Sequence, residues 1–126
     1  MALQKELMAQ GGMFVTQAQA VNGSLATAIT AFATGGQASA TQLAAVTNVI
    51  SVCATGGDSV KLPVASTGDE VFIRNNGAAS CNVFPQTGGN LNNTGANTAV
   101  AVGIAKSAVF KCISGTAGDW IAVISA

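Results

Sequence analysis

Residues 58–85, DSVKLPVASTGDEVFIRNNGAASCNVFP, decide the fold class. Three short runs, 59–62, 70–75 and 81–85, are separated by Gly68-Asp69 and by Asn75-Asn76-Gly77. Glycine adopts positive φ without steric cost, and Asn or Asp can bond their own backbone two residues on, so such breaks close turns. Side chains of an extended strand alternate between its two faces. Val60 and Leu62 therefore share one face; Val71 and Ile73 share another, leaving Glu70, Phe72 and Arg74 opposite. This grammar predicts an antiparallel β-meander at the centre of the chain.

The whole chain of 126 residues suits one domain with a single core. The composition is 49% hydrophobic but only 8% charged, with 15 Gly and neither His nor Tyr. The apolar residues are mostly small, so the core is thin. A soluble domain usually carries roughly 25–35% Lys, Arg, Glu and Asp on its surface. The scarcity of charge here implies that partners cover much of the surface. Five basic residues balance five acidic ones, so no net field attracts nucleic acid. No apolar run approaches the length of a membrane span. Lys5 and Glu6 stand where a secretory signal would need a basic stretch followed by an apolar one, which points to synthesis in the cytoplasm.

Residues 1–22 show no clean period and read as an N-terminal arm, extended or partly helical, ahead of a β domain over 23–126. Such a terminal segment is by default disordered; the alternative is ordering against a neighbouring subunit or another protein. Leu3, Leu7, Met8, Met13 and Phe14 are its apolar anchors and the expected interface residues. Residues 24–34 fit a helical stripe and a strand face about equally, and the threonines and the following Gly35-Gly36 favour a strand, with 38–43 as its partner. Residues 47–53 read as a strand, 86–97 as a loop, and 98–104, 107–113 and 120–125 as the closing strands. Thr-Gly-Gly recurs at 34–36, 55–57 and 87–89, but the unequal intervals read as repeated turn chemistry and not as a structural repeat. Trp120 is the expected core plug.

Cys53, Cys81 and Cys112 are odd in number and far apart, and there is no His to complete a zinc site. They read as buried structural thiols. Without His, the acid–base candidates are Asp58, Asp69, Glu70 and Asp119. Three of these flank glycine turns, where backbone capping explains an aspartate. Lys61, Glu70 and Arg74 are candidates for polar contacts between protomers. The Gly-rich GGNLNNTG at 88–95 lacks the Lys-Ser/Thr that ends a phosphate loop. No catalytic residue, metal or cofactor is expected.

The succession of 43–63, 67–92 and 95–114 with the late Trp120 resembles the small β-rich virion modules of tailed bacteriophages, above all capsid decoration (cement) proteins. The likeness rests on Asp58-Ser59-Val60, Leu62-Pro63, Gly68-Asp69, Arg74-Asn75, Val83-Phe84-Pro85 and Gly88-Gly89. It implies an all-β domain, a small antiparallel sandwich or barrel of jelly-roll or β-tulip type with an extended arm. It further implies a homotrimer on the capsid surface at three-fold or quasi-three-fold positions, bound to the major capsid protein and made in the host bacterial cytoplasm. The alternative within the same group is a head fibre or tail appendage that recognises a host glycan through Trp120, Phe84 and the loop 90–97.

Overall fold

The computed structural model describes residues 24–126. Ten strands, and among the described residues no helix, make up the domain: β1 Leu25–Thr30, β2 Thr41–Gln42, β3 Thr47–Val52, β4 Ser59–Lys61, β5 Glu70–Asn75, β6 Cys81–Phe84, β7 Asn90–Leu91, β8 Val100–Val102, β9 Ser107–Ser114 and β10 Asp119–Ile124. They form a six-stranded sheet, β1-β3-β5-β9-β10-β7, and a four-stranded sheet, β2-β4-β6-β8. The expected arm and its anchors Leu3, Leu7, Met8, Met13 and Phe14 lie outside the described residues.

The domain is all-β, but its sheets are mixed and not antiparallel. From β1 to β9 the chain alternates between the two sheets at every strand. The first six strands therefore wind as a coil of three turns, with β1, β3 and β5 stacked in parallel on one side and β2, β4 and β6 stacked in parallel on the other. The predicted meander is absent: β5 pairs with β3 and β9, and β4 pairs with β6 instead of its sequence neighbour β5. Likewise β2 pairs with β4, not with β1. The last turn is closed by antiparallel strands, β8 on β6 and β9 on β5, and the β9–β10 hairpin extends the larger sheet. Asn90 and Leu91, expected in a loop, add a short parallel edge strand to β10.

The coil explains the Thr-Gly-Gly pattern. The copies at 34–36 and 55–57 occupy the same corner, between β1 and β2 and between β3 and β4. Asn75-Asn76-Gly77 takes that corner in the third turn, between β5 and β6, while the copy at 87–89 follows β6 and belongs to no corner of the coil. The repeat is structural after all, and its third member differs in sequence.

One core draws on both sheets: Ile50, Val71, Ile73, Phe110, Cys112 and Trp120 from the larger, and Val60, Cys81, Val83 and Val102 from the smaller. The alternation predicted for β5 holds residue by residue and β9 follows the same rule, with Val71, Ile73, Ala108, Phe110 and Cys112 inward and Glu70, Phe72, Val109, Lys111 and Ile113 outward. All three cysteines are free and buried. Burial pushes each thiol up, Cys81 to about 12.

Candidate functional site

Two of the aspartates expected to be structural have structural work. Asp58 is buried, and its carboxylate accepts from the amides of Ala54 (3.0 Å) and Thr55 (3.1 Å) in its own corner and from Thr34 (3.3 Å) in the corner below. It thus pins two turns of the coil together. Asp69 accepts from the Ser66 amide at 2.9 Å, closing the turn before β5. After burial, the charge of Asp58 adds to the upward push on the Cys53 and Cys81 thiols, and those of Asp69 and Asp119 to that on Cys112.

Two buried asparagines carry comparable roles that the sequence did not signal, because Asn reads equally well as an ordinary turn residue. Asn75 donates through Nδ2 to the carbonyls of Ala79 (2.8 Å) and Val102 (2.9 Å), and its Oδ1 accepts from Gly77 N (2.9 Å). Asn48 donates to the carbonyls of Ala45 (2.9 Å) and Phe72 (3.3 Å).

The candidate interaction residues divide by sheet. Glu70 and Arg74 share the outer face of the six-stranded sheet, but Glu70 pairs across strands with Lys111 at 3.1 Å and not with Arg74. Arg74 donates instead to Asn76 Oδ1 (2.9 Å) and to Ser107 Oγ (3.4 Å). Lys61 is half-buried on β4 in the other sheet, so it does not join them.

On that outer face the strand registers build an apolar band. Phe72 stands opposite Val109, and Val109 opposite Val123; Glu70 stands opposite Lys111, and Lys111 opposite Ile121. Phe72, Val109, Ile113, Ile121 and Val123 are all exposed, from 37% at Phe72 to 64% at Val123. Among the described residues the band is crossed only by the half-exposed Glu70–Lys111 pair. Such pairs are worth about 0–1 kcal/mol, too little to make the face a polar one. A contiguous apolar face of this kind is a candidate interaction surface.

At its far end Ile113 and Ile121 line a shallow depression of about 200 Å³ with Asn90, Asn92, Asn93, Asp119 and Trp120. The side chains that a sugar would need are largely committed to the protein. Trp120 is 1% exposed. Asn92 holds the Ala122 backbone on both sides, Oδ1 accepting at 2.8 Å and Nδ2 donating at 2.9 Å. Asn97 Oδ1 accepts from Gly88 N at 2.6 Å, and Phe84 is half-buried.

Comparison with models of protein families, with curated proteins and with solved structures returned no match.

Proposed function

We propose that the protein is a structural component of a tailed-phage virion, a capsid decoration protein that acts as a homotrimer on the outside of the head at three-fold or quasi-three-fold positions. The two sheets then form the sandwich-like body of the module, and catalysis plays no part. The observation that carries the reading is the apolar band Phe72–Val109–Val123 with Ile113 and Ile121, in a domain with little charge to keep such a face in water. Closed cyclic symmetry covers such faces without producing filaments. The chemistry required is mass action alone: a trimer that binds only the assembled shell stabilises it by its binding free energy.

The test is the mass of the purified protein in solution and its co-sedimentation with shells that lack it. The expected result is a species three times the 12.4 kDa chain that saturates the shells. A monodisperse monomer with no affinity for shells refutes the reading. The alternative, an appendage that recognises a glycan, draws on the depression beside Ile113 and Ile121. It is disfavoured by the burial of Trp120 and the internal engagement of Asn92 and Asn97. Gold-labelled antibody on the tail or fibres instead of the head would reverse that preference.

A further inference from the structure

Cys53 and Cys81 belong to different turns of the coil and to opposite sheets: Cys53 follows the last residue of β3, and Cys81 opens β6. The third corner brings them together. Asn75-Asn76-Gly77 carries the chain so closely over Cys53 that a Cβ on Gly77 would lie 2.6 Å from the Cβ of Cys53. The chain then runs on along it: the Ala79 amide donates to the Cys53 carbonyl at 2.9 Å, and the Cys53 thiol donates to the Ser80 carbonyl at 3.5 Å. Ser80 immediately precedes Cys81, and the two thiols hydrogen-bond each other. Cys112 stands apart, beside the Ser114 backbone with Asp69 and Asp119 nearby.

Two thiols in contact can do what one buried thiol cannot. Burial pushes both up, but the hydrogen bond between them favours the thiolate on Cys53 and disfavours it on Cys81. Cys53 is therefore the sulfur that attacks an oxidant, and Cys81 the one placed to resolve the product. Cys53 is 1% exposed and Cys81 0%, so the oxidant must be small. The segment packed on Cys53 is itself near solvent, with Ala78 exposed and Ala79 and Ser80 half-buried. A local opening of that corner admits a molecule the size of a peroxide.

We infer that Cys53 and Cys81 are a latent disulfide, joined by a peroxide in oxidising surroundings so that the second turn of the coil is stapled to the third. The Cys53 thiolate attacks one oxygen of the peroxide. The O–O bond breaks, leaving a sulfenic acid on Cys53, and the departing hydroxide takes up the proton that Cys53 released. The Cys81 sulfur then attacks Cys53 Sγ: the S–S bond forms, the S–O bond breaks, and the Cys81 proton leaves with the hydroxide as water. Two thiols and one hydrogen peroxide give one disulfide and two waters, the sulfurs being oxidised and the peroxide reduced. The bond closes a loop one full turn of the coil long, which constrains the unfolded chain and so stabilises the folded one. Thiols stay reduced in a cytoplasm, so the staple forms only once the chain has left a reducing compartment. This goes beyond the virion reading and stands whether or not that reading holds.

The test takes the full parent chain, purified reduced, and treats it with hydrogen peroxide. The remaining thiols are then alkylated in denaturant and the peptides mapped by mass spectrometry. The expected product has the Cys53 and Cys81 peptides joined, lighter by two hydrogens and separated again by dithiothreitol, with Cys112 alkylated in the same molecules. The oxidised chain should also melt higher than the reduced one, by on the order of 10 °C. Cys53 and Cys81 both still alkylated after prolonged treatment, or each carrying its own sulfinic acid, overturns the inference. So does a disulfide to Cys112 or between two chains, and a linked chain that melts no higher than the reduced one. The measurement needs only the parent chain, so no variant's folding enters the result.

Discussion

Asp58 illustrates how a turn residue acquires long-range work. Its position before a strand predicts capping of its own corner, and the structure adds the Thr34 amide, 24 residues away in sequence. Hydrogen bonds to a charged acceptor are worth about 1.5–3 kcal/mol, and their loss leaves amides unpaired in a buried corner. Asp58→Ala should therefore lower stability by about 2–4 kcal/mol in urea unfolding, and Asp58→Asn by less. The thiols make a second prediction. Cys81 has a folded pKa of about 12 against an ordinary value of 9.0, chiefly because burial penalises the thiolate. Above pH 9 the unfolded chain therefore loses this proton first. The stability tied to the neutral thiol is intact below about pH 9 and lost as pH rises toward 12, by up to about 1.4 kcal/mol per unit. Cys53 and Cys112 are raised too and act in the same direction. Urea midpoints should be flat in thiol-dependent terms from pH 6 to 8 and fall between pH 9 and 11; a midpoint unchanged across that upper range would contradict the burial of Cys81.

Among elements, the corners of the coil separate glycines that touch another turn from glycines that do not. A Cβ on Gly77 would lie 2.6 Å from both the Cβ and the backbone nitrogen of Cys53, in the corner of the preceding turn. One on Gly56 would meet nothing within 4 Å. Gly77→Ala should destabilise by about 1–3 kcal/mol, the usual cost of overpacking. Gly56→Ala should be neutral or stabilise by up to about 1 kcal/mol, because it restricts the unfolded chain. Thermal unfolding of the two variants side by side checks this, and equal effects would mean that the corners do not stack. The same stacking explains why the repeat was misread. Gly57 and Gly77 occupy equivalent corners, but Asn75-Asn76-Gly77 replaces Thr-Gly-Gly there, and the stray copy at 87–89 spoils the spacing.

For the whole molecule, the apolar band is the feature to perturb. Phe72 is 37% and Val123 64% exposed, so Phe72→Asp/Val123→Asp should cost about 1–3 kcal/mol of monomer stability. On the proposed decoration role it should abolish self-association and shell binding, read by sedimentation and by co-pelleting with shells. Full retention of both would show that the band is not the interface. The inward and outward sides of β5, the burial of the thiols and the core position of Trp120 were legible in the sequence. These depend on alternation and turn chemistry, which act over a few residues. Strand pairing was not legible. Ladder hydrogen bonds join backbones that differ little from residue to residue, so an isolated run such as Glu70–Asn75 does not record whether its neighbour lies ten residues away or more than twenty. Only the tertiary structure decided between a meander and a coil, because packing both sheets' apolar faces into one core selects the pairing. By the same selection it set Phe72, Val109 and Val123, from three separate strands, side by side.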